Sequence, residues 1–356
     1  MTRLRRVLAV LVAGGLLALV PAAGAAAPVP LGFFGVVPQG PLGPQDFARM
    51  RGVVGTLRIP IYWFQVEPSR GEYRFAELDE TITRAAAAGV RILPFVYGTP
   101  SWLSTDPARP PLGSLSAERA WTELLRRLVR RYGPHGELWR GGPVQLPIRR
   151  WQIWNEPNFL LFWRPRPSPS GYARLLRISA HAIRDEDRSA SVVTAGVAPV
   201  EGGMNPWEFL RRMYLVPGVE RDFDIAALHP YSSSLRILEY ELRLTRRVMA
   251  RAGDGDRPLQ VTELGVASGG QFPNPFDRGP RGQARYLERA FARLATKRHR
   301  WRISGVDWFA WQDGSGPDPH CVFCQFSGLF DTSMTPKPSW WAFKRIAAAA
   351  TANPVR

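Results

Sequence analysis

The stretch Arg150–Phe159 reads R-W-Q-I-W-N-E-P-N-F. An apolar, tryptophan-rich run stops abruptly at Asn155, Glu156, Pro157 and Asn158. A short apolar run closed by turn-forming residues reads as a buried strand, and here a carboxylate stands at its C-terminal tip. Pro157 disfavours helix at Glu156 and predicts an extended chain there. On a regular strand Asn155 and Glu156 point to opposite faces. Both serve one pocket only where the strand kinks or ends. The apolar surroundings of Trp154 are suited to raising the pKa of a neighbouring carboxyl.

Working outward, strand-like runs alternate with amphipathic helical segments along the whole chain. Leu31–Val37 is a strand, followed by a helix near Pro44–Met50; Thr56–Trp63 is next, with a helix over Phe75–Ala88 closed by Gly89 as C-cap. Val90–Tyr97 precedes a helix over Ser116–Tyr132, and Ile148–Trp154 precedes one over Tyr172–Asp185. Ser191–Val197 leads to Pro206–Tyr214, and Phe223–Leu228 to Leu238–Ala252. Pro258–Glu263 leads to Arg281–Arg298, and Ile303–Trp311 to Ser339–Ala350. Eight strand–helix pairs in strict alternation demand a parallel sheet with helices outside it. Their number predicts a single-domain α/β protein built as a closed (β/α)8 TIM barrel. An open doubly wound sheet is the alternative, but no Gly-rich phosphate fingerprint follows any strand, and no organic cofactor is implied.

A barrel of this kind carries its chemistry at the C-terminal ends of the strands. Arg58 is read at the end of the second strand, Asn155 and Glu156 at the fourth, His229-Pro230-Tyr231 at the sixth and Glu263 at the seventh. The eighth carries Trp308 and Trp311 in V-D-W-F-A-W-Q-D. Glu156 and Glu263 therefore face each other across the barrel mouth. Two carboxyls on a common gap are the minimum equipment for cleaving a glycosidic bond.

The remaining sequence bounds the setting. The chain has 356 residues. Residues 1–27 read as a cleaved signal peptide: Arg3, Arg5 and Arg6 precede an apolar run from Val7 to Val20, and A-x-A sites end at Ala25 or Ala27. An uncleaved anchor helix is the alternative, disfavoured because the run is short for a bilayer. Arg5-Arg6 is compatible with twin-arginine export, but the flanking consensus is poor and the general secretory route is expected. No later run is long and apolar enough to span a membrane, so residues 28–356 are expected outside the cytoplasm as one catalytic domain.

Loss of Arg3, Arg5 and Arg6 takes the formal net charge from +17 to +14. The only lysines are Lys297, Lys337 and Lys344, so the excess is arginine. Arg126, Arg127, Arg130 and Arg131 alternate with Leu124, Leu125, Leu128 and Val129 at helical spacing, which reads as a solvated helix face. An electrostatic contact with an acidic glycan or an anionic cell envelope is the other use of such charge. No nucleic-acid-binding signature accompanies it. Cys321 and Cys324 are the only cysteines. In an exported chain they read as a local disulfide, because a metal site would need more ligands than the nearby Asp318 and His320. No metal is implied.

W-N-E-P-N at Trp154–Asn158 and T-E-L-G at Thr262–Gly265 resemble the clan A glycoside hydrolases, the retaining (β/α)8 glycosidases. H-P-Y at His229–Tyr231 adds to the resemblance. So does G-L-F-D-T-S-M-T-P-K-P-S-W at Gly328–Trp340, which is similar to the tails of family 39 and family 5 members. The resemblance runs from Arg58 to Trp340 and implies a polysaccharide or oligosaccharide substrate. It makes Glu156 the general acid/base and Glu263 the nucleophile, with carboxyls about 5–5.5 Å apart. It gives Asn155 the sugar 2-hydroxyl, has Arg58 and Tyr231 hold Glu263 ionised, and places His229 on the same wall. Trp308 or Trp311 would form the floor beneath the sugar ring.

Tyr97 and Trp102, with Trp63, Phe159 and Trp163, are candidates for further sugar contacts near the rim. Plain loop packing is the alternative for Trp102, Phe159 and Trp163. Asp307 and Asp313 read as structural, and Asp222 and Asp224 as loop or strand-start residues. The third strand departs from the family pattern by ending in F-V-Y-G-T-P, so contacts to the outer sugar hydroxyls are not carried over. The rival function is a catalytically silent carbohydrate-binding barrel; such proteins usually lose one of the two carboxylates.

Overall fold

The computed structural model describes residues 29–349 except 200, 271–273, 316–320 and 322. The expected signal segment, Asp318, His320 and Ala350 lie outside the described residues.

Eight strands follow one another: β1 Phe34–Val37, β2 Thr56–Tyr62, β3 Arg91–Tyr97, β4 Arg150–Ile153, β5 Ser191–Thr194, β6 Ala226–Leu228, β7 Leu259–Leu264 and β8 Ile303–Phe309. After β1 comes α1 (Pro44–Met50), and after β2 a single turn α2 (Trp63–Val66) and α3 (Ala76–Ala88). The later strands are followed in turn by α4 (Leu115–Tyr132), α5 (Pro169–Glu186), α6 (Pro206–Met213), α7 (Leu235–Arg251), α8 (Gly279–Trp301) and α9 (Pro338–Ala348). All neighbouring strands pair in parallel, in the order β5-β4-β3-β2-β1-β8-β7-β6. Parallel bridges Val193↔Ile225 and Val197↔Leu228 join the two ends and close the ring. The chain is a single-domain (β/α)8 barrel.

Expected and observed elements agree in order and differ at their ends. Leu31–Phe33 form a 3-10 turn before β1 rather than part of the strand. The cap of α4 is Ser114, whose Oγ accepts from the Ala117 N–H, two residues before the expected start. Gly89 closes α3 in the left-handed conformation, φ +74°, which a glycine adopts without steric cost. α4 buries Leu124, Leu125, Leu128 and Val129. Its arginines face outward and pair with acids: Arg126 with Asp185, Arg127 with Glu123, Arg130 with Glu186 and Arg131 with Asp79.

The main core lies between strands and helices and is rich in tryptophan; Trp63, Trp121, Trp151, Trp154 and Trp163 are all buried in it. Deep inside the barrel Leu93, Val193, Ile225 and Ala227 form a small apolar plug. Polar side chains from four strands also share the interior: Arg58, Gln152, Gln260 and Asp307 are all essentially inaccessible. Asp307 accepts from Gln260 and lies over Gly35, where a Cβ would come within 1.9 Å of its Oδ1. Asp313 pairs with Lys337, Asp222 with Arg177 and Asp224 with Arg184, as structural roles require.

Candidate active site

β4 ends at Ile153, and the next three residues turn sharply. Trp154 has φ +72° and Glu156 φ +35°, a region L-residues adopt at a cost of order 1–3 kcal/mol each. The extended backbone expected at Glu156 is therefore corrected: the tip curls, which is what brings Asn155 and Glu156 into one pocket. The Trp154 N–H still donates to Val96 on β3, and its indole N–H to the Phe162 carbonyl. Asn158 fixes the far side of the turn. Its amide donates to the carbonyls of Ala198 and Met204 and accepts from the Ala198 N–H.

Glu263 reaches the same pocket through a different irregularity. Val261 pairs with Val306 and Leu264 with Trp308, so Thr262 and Glu263 together oppose Asp307. A bulge of this kind re-aims a side chain at a strand end. Thr262 Oγ1 meets the Gln152 amide inside the barrel, and Glu263 meets Arg58.

Arg58 organises the floor. It stands third in β2, not at the tip where the sequence reading placed it; the strand runs on to Tyr62. Its length spans the difference. Nε donates to Gln152 Oε1 at 2.6 Å, Nη1 to Glu263 Oε1 at 2.6 Å and Nη2 to Asn155 Oδ1 at 2.8 Å. The guanidinium lies 4.0 Å over the Phe95 ring. With Oδ1 of Asn155 so engaged, its Nδ2 is the amide's remaining donor, without a partner among the described residues.

His229, just after β6, approaches Glu156: Nδ1 is 2.8 Å from Glu156 Oε1 and 3.6 Å from Glu263 Oε2. The Tyr231 hydroxyl donates to Glu263 Oε2. One oxygen of each carboxyl and a His229 ring nitrogen all lie within 4.8 Å of one another. His229 is closely walled in, since a Cβ on Gly196 would come 2.2 Å from its Nε2.

The two carboxyls differ electrostatically. Burial pushes Glu156 above the ordinary carboxylate range, and the bond to His229 opposes that without cancelling it. Burial also acts to raise Glu263. The charges of His229 and Arg58, with hydrogen bonds from Tyr231 and Arg58, outweigh it and hold Glu263 below the ordinary value. Burial, then the Glu263 and Glu156 charges, keep the Tyr231 phenol far above its usual range, so it remains a donor. This divides the pair into one carboxyl fit to carry a proton and one fit to stay ionised.

Two carboxylates and an imidazole are also a possible divalent-metal set. Here Glu263 already accepts from a guanidinium and a phenol, and Glu156 is bonded to the imidazole. A cation would have to compete with a buried arginine 2.6 Å from one of its own ligands. The donor set does not fit a resident metal.

The aromatic predictions divide. Trp308 is fully buried on the outer side of β8, with its N–H on the Ser327 carbonyl and its ring against Phe291 of α8. Trp311 is fully buried against Phe330 and Trp340, with its N–H on Asp46 of α1. Neither forms a floor for a sugar; the expectation is corrected. Side chains alternate along a strand, so Phe309 takes the inward position between them, and its ring meets Tyr231. Tyr97 ends β3 with its ring on Trp154 and Phe162. Trp102 donates to the Glu67 carbonyl and packs on Trp63; it lines a cavity with Arg70 and Tyr73 that includes neither carboxyl. Trp63 and Trp163 are buried packing residues, and Phe159 packs on Phe162.

Gln152, Thr262 and Phe309 escaped the sequence reading; alternation back from Glu156 was a signal for Gln152, whereas the bulge that turns Thr262 inward and the register that turns Phe309 inward leave no mark in one strand's sequence. Tyr62, at the end of β2, also belongs here. Burial raises its pKa, and the charges of Arg58 and Glu263 both act on it. Cys321 and Cys324 form a disulfide, and Phe323 between them packs against Tyr231 and Phe276.

No protein-family model matches the sequence, and neither does any curated protein. Solved structures do match the fold. A monomeric beta-xylosidase from Caulobacter crescentus superposes with TM-score 0.65 at 19% identity, over 91% of this chain and 69% of that one. A GH5_18 variant from Bifidobacterium longum subsp. longum, in complex with Manβ1-4GlcNAc, gives TM-score 0.67 at 19% identity, over 90% and 80%. A glucosidase from Croceicoccus marinus gives TM-score 0.63 at 16% identity, over 88% and 66%. The chain thus spans about two thirds of the xylosidase and glucosidase chains, and shares with all three a fold.

Proposed function

We propose that the protein is an exported retaining glycoside hydrolase acting on a polysaccharide or oligosaccharide. The observation that carries this is the Glu156–Glu263 pair: buried carboxyls with oxygens inside 4.8 Å, one held above and one below its ordinary pKa. Retaining enzymes place their carboxyls about 5–5.5 Å apart, and inverting ones about 6.5–9.5 Å. The glycosidase neighbours in the fold comparison agree with this reading.

In the first step a Glu263 oxygen bonds to the anomeric carbon as the glycosidic C–O bond breaks. Glu156 gives its proton to the departing oxygen. In the second, water adds to the anomeric carbon, its proton passes to Glu156, and the ester bond to Glu263 breaks. Two inversions restore the starting configuration. Arg58 and Tyr231 keep Glu263 ionised for attack, and Asn155 Nδ2 is placed to donate to a sugar hydroxyl. A silent binding barrel would have no use for two carboxyls with opposed pKa shifts.

Glu263→Ala is expected to abolish turnover of any glycan the wild type cleaves. Azide should restore it and yield a glycosyl azide of inverted configuration, because the anion attacks from the vacated face. Undiminished turnover by the variant, or release of sugar with inverted configuration by the wild type, refutes the mechanism. Export is tested separately: the secreted protein should begin just after Ala25 or Ala27.

A further inference from the structure

Most arginines on the helices of this basic protein are matched by acids, as on α4. A group between the starts of α7 and α8 is not. Arg236, Arg278, Arg285 and Arg289 line an open cavity of about 440 Å³ together with Ser233, Ser234 and Tyr286. None of the four makes an ion pair among the described residues. Of the nearby acids, Glu239 is committed to Arg243 and Arg293, Glu288 to Arg345 and Asp277 to the Gly279 N–H, while the buried Glu241, which acts on Tyr286, is pushed up to about 8 by burial and pairs with none of the four. Like charges converging on one hollow repel one another, so the arrangement favours an anion between them. The α7 start, capped by Ser234, adds its dipole in the same sense. Tyr286 also lines the cavity, and its buried hydroxyl is held by Ser232 Oγ.

The cavity adjoins the barrel rim. Ser233 stands two residues after Tyr231, which bonds Glu263, and Arg278 donates to the Ser233 carbonyl. The Arg278 N–H donates to Ala267, three residues beyond the end of β7. Both loops leave the strands that hold the proposed site and meet at the cavity.

We infer that this cavity is an outer subsite for an acidic glycan, taking a carboxylate or sulfate group carried on a sugar beyond the one that reacts. Arginine is suited to this, since its planar fork binds both anions through paired N–H groups. The inference rests on the glycosidase reading for the identity of the polymer, but its test does not depend on turnover.

Calorimetric titration of the full chain carrying Glu263→Gln decides it. The probes are a short oligouronate, the same oligosaccharide as its neutral methyl ester, a sulfated neutral oligosaccharide, and single-stranded DNA. The uronate or the sulfated chain should bind at least tenfold more tightly than the ester, and whichever gains more identifies the anion. Arg285→Glu/Arg289→Glu should remove the gain. Arg247→Glu/Arg251→Glu, an equal charge change at the far end of α7, should leave it. Equal affinity for acid and ester, equal losses in both double variants, or equally tight arginine-dependent binding of DNA overturns the inference. Arginine-dependent binding of the acidic chain with no cleavage of any glycan by the wild type leaves the subsite standing and removes the catalytic proposal. Cleavage of a neutral glycan with no effect of charge does the reverse.

Discussion

Arg58 touches Glu263, Asn155 and Gln152 through three separate nitrogens, so its replacement acts on the proposed reacting groups without removing either carboxyl. Loss of the guanidinium takes away a positive charge and a hydrogen bond that hold Glu263 low, and leaves burial, which raises it. The acid limb of a two-carboxyl rate profile reports ionisation of the nucleophile. Arg58→Met should therefore move the acid limb of kcat/KM to higher pH, with the alkaline limb, set by Glu156, shifting less. Arg58→Lys should fall between, since it keeps the charge and loses the fork. An acid limb at the same pH in Arg58→Met would show that Glu263 is not held ionised by this contact. Glu156 and Glu263 were legible in the sequence because a carboxylate at the end of an apolar strand is costly unless used. Phe309 was not, because three aromatic residues among positions 308–311, at and just beyond the end of β8, leave the inward one undetermined until the register is known. Tryptophan is the better sugar platform, yet here both tryptophans point to the helices.

Between strands, His229 depends on a glycine. Gly196 follows β5, and a Cβ there would come 2.1 Å from Cδ2 and 2.2 Å from Nε2 of the imidazole. Such a distance is a clash, and His229 sits inside a wholly buried shell with little room to yield. Gly196→Ala should push the ring away from Glu156, although residue 196 is not one of the proposed reacting groups. The expected result is a lower kcat with the alkaline limb displaced, while KM changes little. The direction of that displacement follows from Glu156: the His229 contact lowers its pKa, so losing it moves the limb upward. An unchanged profile with full activity would mean that the ring has another position open to it. This coupling between β5 and β6 was invisible beforehand, because a glycine near a strand end has many uses. The bulge at Thr262–Glu263 was hidden for the same reason: an extra residue in one strand appears only against its partner. Order and type of the elements, by contrast, followed from periodicity repeated eight times.

At the scale of the molecule, stability against pH reflects how many acids the fold keeps protonated. Glu156, Asp313, Glu241 and Asp307 all have carboxyls raised by burial, Glu241 to about 8 and Asp307 to about 7. Glu241 has no other cause of its shift, and its Oε2 is buried without a partner. Carboxyls held low, such as Glu186 and Glu263, act in the opposite sense, but only as pH falls toward their folded values. Between pH 5 and 8 those groups are ionised whether the chain is folded or not. Glu241 and Asp307 differ: unfolded they have lost their protons over this range, and folded they hold them until pH nears about 8 and about 7. The folded state then binds more protons, and stability falls as pH rises, by at most about 1.4 kcal/mol per pH unit for each proton retained. The fall should continue until pH passes the folded values, near 8 for Glu241. The urea midpoint is thus expected to be higher at pH 5.5 than at pH 8. Glu241→Gln should shrink the difference by removing one such proton, and Asp307→Asn should do so independently from inside the barrel. Neither residue belongs to the proposed catalytic pair, so the readout is stability alone. A midpoint that climbs toward pH 8, or a difference unaltered in both variants, would mean that these carboxyls are ionised within the fold and that charge reaches the interior more cheaply than their burial implies.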